Sequence, residues 1–310
     1  MILKFTSYLS LIAFFLIFVL PAPERAEDQF DWQTLESGML KVHWYEGDAN
    51  FGQAALDTAQ AGLESIGLLI PSNLEHPIEI FMYANLEDLQ GALISGEEAW
   101  VVGHADPEPG IVSVWIEPGP GQELARGQRI SHELMHVMLY RFVGEGYHNL
   151  PAWLREGTAT LAETYPNPEY ERVLNDAVAK NALIPLKDLC ESFPANRNHA
   201  FLAYAEAGSF VSYLGETFGS AGLQNLARTY ADGLDCERGS ERALGDSLSS
   251  LESKWRSSVL GQKALSSTLQ NISPYFVLLC LVLILPMLGI LSTLRKGSGN
   301  EPGTSVRVRK

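Results

Sequence analysis

Cysteine is scarce in this chain: three residues in 310, no two of them in a C-x-x-C pair. That excludes four-cysteine structural zinc sites and the thioredoxin-type redox motif. Positive charge is scarce as well. Lys and Arg number 22 against 37 Asp and Glu, a formal net charge of −15. The C-terminal residues 295–310 hold five basic and one acidic residue (+4), so residues 1–294 carry −15 − 4 = −19. So acidic a body repels phosphate backbones and excludes nucleic acid as its partner. No internal repeat and no low-complexity tract occurs, which excludes solenoids and linker arrays.

Long apolar runs are confined to the two ends. "YLSLIAFFLIFVL", Tyr8 to Leu20, follows Lys4 and precedes the Pro/Ala-rich "PAPERAEDQ". That layout predicts a secretory signal over residues 1–26, or an uncleaved anchor in the same place. "YFVLLCLVLILPMLGILSTL", Tyr275 to Leu294, is free of charge and about the length a helix needs to cross a bilayer. It predicts a transmembrane helix over 272–294, which Pro286 would kink without forbidding. Arg295 and Lys296 follow directly and "RVRK" closes the chain. The excess of positive charge predicts a cytoplasmic tail at 295–310 and a body facing outward, giving a single-pass protein of the cell membrane. Cys280 falls inside the second run, leaving Cys190 and Cys236 in the exported part. An oxidising compartment would let them pair, although spacing alone does not establish that they do.

Between these ends the pattern is globular. "MLKVHWYEGD" (Met39 to Asp48), "PIEIFMYAN" (Pro77 to Asn85) and "GIVSVWIEP" (Gly110 to Pro118) read as strands. Gly52 to Ile70 and Leu86 to Ile94 show helical spacing of apolar residues. From Gln122 onward the signals are helical: Gln122 to Phe142, a helix opening at Asn149-Leu150-Pro151, Glu169 to Asn181, His199 to Phe218, Ala221 to Asp232, and Ser247 to Val259. The expected class is α+β: a small mixed sheet in an N-terminal half, 28–143, and a helical C-terminal half, 144–266.

The stretch "RISHELMHVML", residues 129–139, carries His132-Glu133-Leu134-Met135-His136. On a helix, residues four apart share a face, so both imidazoles can address one ion while Glu133 stands beside it without ligating. Two neutral imidazoles and a free carboxylate are what a hydrolytic zinc site requires. The plainer alternative is a pair of surface histidines beside a solvated glutamate. A third His at position 142 and a Gly at 139 would continue the metzincin pattern, but the chain has Phe142 and Leu139. Downstream, "NLPAWLREGTATLAE" (Asn149 to Glu163) offers Glu156 and Glu163 as the third ligand. From His136 the first helix climbs six residues to Phe142, roughly 9 Å; the returning helix descends by the same amount to Glu156. Glu156 therefore lies level with His136, and Glu163 overshoots by about two turns. Glu145 and His148 fall at the loop tip; His104, Asn198 and His199 read as loop residues.

"HELMH" followed by "WLREGTATLAE" resembles the gluzincin zinc peptidases, in particular the peptidase MA-like domain proteins of bacterial envelopes. The matching positions are His132, Glu133, His136, Trp153, Glu156, Gly157 and Ala159, and "AYAEAGSFVSYLGETFG" (Ala203 to Gly219) is similar to the helix that follows in such domains. The resemblance implies a thermolysin-like zincin fold in which "GIVSVWI" is the edge strand that pairs with a peptide. It also implies Zn2+ on His132, His136 and Glu156, Glu133 as general base and acid, and Tyr204 as a donor to the oxyanion. The acidic residue that many gluzincins carry four positions after the glutamate ligand is Thr160 here. The expectation is a membrane-anchored zinc metallopeptidase acting on peptides or proteins. No feature for gripping a free amino terminus is present, which favours an endopeptidase. The rivals are a catalytically idle module of the same fold that binds or scaffolds in the envelope, and a purely structural zinc.

Overall fold

The computed structural model describes residues 30–71, 74–93 and 100–261, together with 278, 279, 282 and 284. The expected signal (1–26), tail (295–310) and Cys280 lie outside the described residues, as does all but four positions of the expected membrane segment (272–294). Among the described residues no helix is long and apolar enough to cross a membrane.

Five strands form one mixed sheet: β1 (Gln33–Ser37), β2 (Leu40–Trp44), β3 (Ile78–Tyr83), β4 (Gly103–Asp106) and β5 (Ile111–Trp115), in the order β1-β2-β3-β5-β4. β2, β3 and β5 are parallel, and β1 and β4 close the edges antiparallel. Alternation sets the faces. In β2, Leu40, Val42 and Trp44 are buried while Lys41 and His43 between them are not.

Helix α1 (Ala49–Leu69) connects β2 to β3. Asp48 caps it by accepting from the Phe51 amide at 3.0 Å, and Phe51, Ala55, Leu56, Ala59 and Ile66 form its buried stripe. α2 (Leu86–Ala92) follows β3, and α3 (Glu123–Val143) packs on α1, β4 and β5. A turn of 3-10 helix, Gly144–Asn149, then reverses the chain into α4 (Ala152–Ala162). The rest is helical: α5 (Pro168–Lys180), α6 (Arg197–Ala231, broken at Gly219), α7 (Cys236–Leu244) and α8 (Leu248–Trp255), which runs on into a π-helical turn at Arg256–Leu260. One cluster of buried apolar side chains extends from Leu40 to Leu260, so both halves share a core.

Three expectations change. "GIVSVWI" is not the edge: β5 lies between β3 and β4, and the short β4 takes the edge. β1 and β4 give little sequence signal, because β1 is mostly exposed and β4 has only four residues. α7 is an added element; its buried residues are only Gly239 and Ser240, so no apolar stripe announces it.

Candidate metal centre

α3 and α4 are antiparallel. His136 meets Glu156, His132 meets Glu163, and Ser131 Oγ lies 2.8 Å from Thr164 Oγ1, so the contacts step backward along α3 as α4 advances. Their close approach is continued on α4's other side by Gly157. A Cβ there would stand 2.6 Å from the Ala207 carbonyl oxygen of α6, so only glycine lets α4 lie so near α6.

Between the two helices, one ligand atom each from His132, His136 and Glu156 falls within 4.8 Å of the others. Glu156 Oε2 is 3.5 Å from His132 Nε2 and 3.6 Å from His136 Nε2. Both separations are long for strong hydrogen bonds. They are close to the roughly 3.4 Å between ligand atoms of a tetrahedral ion bound at about 2.1 Å. The donor set, two imidazoles and a carboxylate, is also the one zinc takes when a position is left open. These residues fit the metal.

The other ring nitrogens have partners of their own. His132 Nδ1 lies 3.3 Å from Glu163 Oε1, and His136 Nδ1 lies 2.9 Å from the Tyr147 hydroxyl. Each Nδ1–H can donate outward, which leaves Nε2, the nitrogen nearer Glu156, as the ligating atom of each ring. Electrostatics agrees with the grouping. Burial pulls the His132 pKa down, but hydrogen bonds to Glu156 and Glu163, with the Glu133 charge, carry it up to about 10. Burial raises Glu156, and the His136 and His132 interactions outweigh it, holding that carboxyl well below its usual range.

Glu133 is buried but stands outside the ligand cluster. Burial pushes its carboxyl up, against the charges of His132 and His136. Its room is made by β4: a Cβ on Gly103 would sit 2.6 Å from Glu133 Oε1. Tyr204, on α6, packs its ring 5.9 Å from His132 and 4.9 Å from Phe193. Burial, the charges of Glu156 and Glu133, and a hydrogen bond to Glu156 lift its phenol well above the ordinary value. His132, Glu133, Glu163 and Tyr204 all open on a cavity of about 750 Å³ between β4, α3, α5 and the start of α6.

The expected set, His132, Glu133, His136, Glu156 and Tyr204, is thus brought together. Glu163 stands outside the ligand cluster, as expected, but two turns beyond Glu156 it reaches the far side of His132, while Thr160 faces Gly208. Its spacing of seven from Glu156 was the available signal, since two helical turns return to one face. Nothing in sequence marked Tyr147 or Gly103. Glu145 and His148 are exposed, as expected. His104 is in β4, near enough for its charge to bear on Glu133, and Asn198 and His199 lie in the first turn of α6. Cys190 and Cys236 form a disulfide.

The Peptidase MA superfamily model matches residues 58–261, which includes every residue of this site. The chain belongs to the Peptidase MA superfamily. Among solved structures, a mutant of the M1 zinc metallopeptidase from Deinococcus radiodurans aligns with 12% identity over 73% of this chain and 50% of its own, at a TM-score of 0.40. The unmutated enzyme aligns over the same shares with 13% identity and a TM-score of 0.36. A mutant two-domain M1 zinc metallopeptidase bound to L-tryptophan aligns over 72% and 50%, with 13% identity and a TM-score of 0.38. The superfamily chain described here therefore spans half the length of those proteins. A search of curated proteins returns no match.

Proposed function

We propose that this protein is a zinc metallopeptidase of thermolysin-like zincin fold, hydrolysing internal peptide bonds. The observation that carries the reading is the convergence of His132, His136 and Glu156, with a buried glutamate beside them that ligates nothing. His132, His136 and Glu156 would hold Zn2+. The ion would supply Lewis acidity, bringing the pKa of water towards neutrality and polarising the substrate carbonyl. Glu133 takes the proton of the attacking water and delivers it to the amine nitrogen as the C–N bond breaks. Burial, which raises the pKa of its carboxyl, makes it a stronger base than an exposed glutamate. Tyr204, with a phenol held protonated by burial and by its carboxylate neighbours, donates to the carbonyl oxygen as charge develops there.

The reading extends to location. An apolar run at 275–294 followed by basic residues supports a single-pass membrane anchor with the peptidase domain outside and the tail in the cytoplasm. The Cys190–Cys236 disulfide supports an oxidising, extracytoplasmic compartment. Protease digestion of intact cells should spare a C-terminal tag; loss of the tag reverses the orientation.

The direct test is cleavage of a mixed peptide library by the zinc-loaded protein beside its Glu133→Gln variant. The variant should keep its zinc and lose about two to four orders of magnitude in turnover. Normal turnover by the variant refutes the mechanism. Silence from both proteins, with zinc bound, assigns the chain to the idle binding modules.

A further inference from the structure

In a chain of net charge −15, the wall of the 750 Å³ cavity gathers four cations: Arg129, Arg172, Lys180 and Arg197. Two of them are matched by neighbours on their own helix. Arg172 Nε donates to Glu169 at 2.6 Å, and Lys180 to Asp176 at 2.7 Å. The acids that line the cavity are also committed: Asp176 to Lys180, Glu163 to His132, and Glu133 beside the metal centre. Arg129 and Arg197 are different. Among the described residues neither has a carboxylate within ion-pair distance. Arg129 donates to the Trp115 carbonyl, lies 4.8 Å over the Trp115 ring and feels Glu117 only at longer range. That contact anchors the guanidinium in the cavity wall and, among the described residues, occupies only one of its N–H groups. Arg197 sits exposed in the first turn of α6.

Position relates the pair to the chemistry. Arg129 is one turn before His132 and Glu133 on α3, about 5 Å along the axis, and Arg197 is seven residues before Tyr204 on α6, about 10 Å. An extended peptide advances about 3.4 Å per residue. A group held by these arginines therefore lies within about three residues of a bond placed at the metal centre. Arginine forks match carboxylates in geometry as well as charge. The Trp100 indole donates to the Ala195 carbonyl at 3.3 Å, tying the strand side of the cavity to the segment that enters α6. Tyr170 and Phe201 supply apolar wall for the stem that carries the charge.

The geometry points to this cavity as a specificity subsite for a carboxylate of the substrate, held by Arg129 and Arg197 within three residues of the scissile bond. This rests on the peptidase reading and adds a substrate class to it. The carboxylate is either an Asp or Glu side chain or the carboxyl terminus of a short peptide, and one experiment separates these sources.

The full-length zinc-loaded protein is given three matched peptide series: a neutral series with Gln and a C-terminal amide, one with Glu moved through the positions flanking the scissile bond, and one with Gln and a free C-terminal carboxylate. Binding of the same peptides to the Glu133→Gln protein is measured by calorimetry. One of the two acidic series should exceed the neutral series about tenfold in kcat/KM and in affinity, the gain expected of a charge-assisted hydrogen bond. That ratio should collapse to about twofold or less in Arg197→Gln. Arg129→Gln should act likewise, with Arg197→Gln decisive if loss of the Trp115 contact unfolds it. Equal handling of all series, a preference for the neutral one, or an acidic preference that survives in folded variants of both arginines overturns the assignment. Cleavage without acidic preference sinks the subsite and keeps the peptidase. Carboxylate-dependent binding with no cleavage by the parent protein keeps the subsite and sinks the peptidase.

Discussion

Glu163 Oε1 lies 3.3 Å from Nδ1 of His132, two turns beyond the Glu156 that faces Nε2 of the same ring. The histidine is thus held between two carboxylates, one on α4 and one at its C-terminal cap, and Tyr147 does the same service for His136 at 2.9 Å. Fixing Nδ1 as the protonated nitrogen orients the ring and strengthens Nε2 as a donor. Glu163→Ala and Tyr147→Phe should each weaken zinc binding about ten- to a hundredfold, read by chelator competition. Unchanged zinc affinity in both would remove their positioning role.

Gly103 yields a prediction of a different kind. An added Cβ meets the end of the flexible Glu133 side chain, not backbone, so the protein yields by moving that carboxylate. Gly103→Ala should keep zinc content and thermal stability close to the parent while lowering kcat about a hundredfold, the cost of displacing a reacting group by about 1 Å. If kcat holds, Glu133 has room that the static structure does not reveal.

The Cys190–Cys236 bridge closes a separation of 46 residues. Loop-closure entropy for that length corresponds to about 4 kcal/mol of stability. Reduction, or the double change Cys190→Ser and Cys236→Ser, should lower stability by about that much in denaturant titration. The loss concerns the site as well, because the Trp153 indole, one turn before Glu156, donates to Cys236 Sγ at 3.4 Å. A loss under about 1 kcal/mol would show that the reduced chain already keeps the ends together.

Glu206 is fully buried on α6; its Oε1 accepts from the Ile184 amide at 2.9 Å and, among the described residues, its Oε2 has no hydrogen-bond partner. Burial pushes its pKa up to about 8, against the lowering pull of the Ile184 amide and Arg256. Between the unfolded value near 4.3 and about 8, the native state binds a proton that the unfolded state does not. This group's contribution to stability is therefore highest below about pH 4.3, falls as pH rises towards 8, and is flat above. Glu206→Gln should remove that slope and be more stable than the parent at pH 8 and above, by on the order of a few kcal/mol. Parallel stability–pH curves for the two proteins would refute it.

The metal centre was legible because its spacing is helical: histidines four positions apart, and equal climbs on either side of the turn to Glu156. Elements with strong apolar periodicity, such as α1 and α3, were legible for the same reason. What escaped depends on tertiary approach. Tyr147 sits in a 3-10 turn with no periodic signature. Gly103 matters only because β4 crosses over Glu133. The Glu163 contact escapes a level-by-level comparison of the two helices, because a histidine ring offers two nitrogens on opposite sides. The edge strand was misplaced because four residues, Gly103–Asp106, are too few to show alternation.

That brevity constrains recognition. A four-residue edge offers few free main-chain groups, so another chain laid against β4 gains little from backbone pairing alone. Such an edge is a poor template for self-association. By the same arithmetic it is a poor reader of long peptides: a bound segment would be registered over a few residues only, and discrimination among sequences would fall to the side-chain cavity next to it.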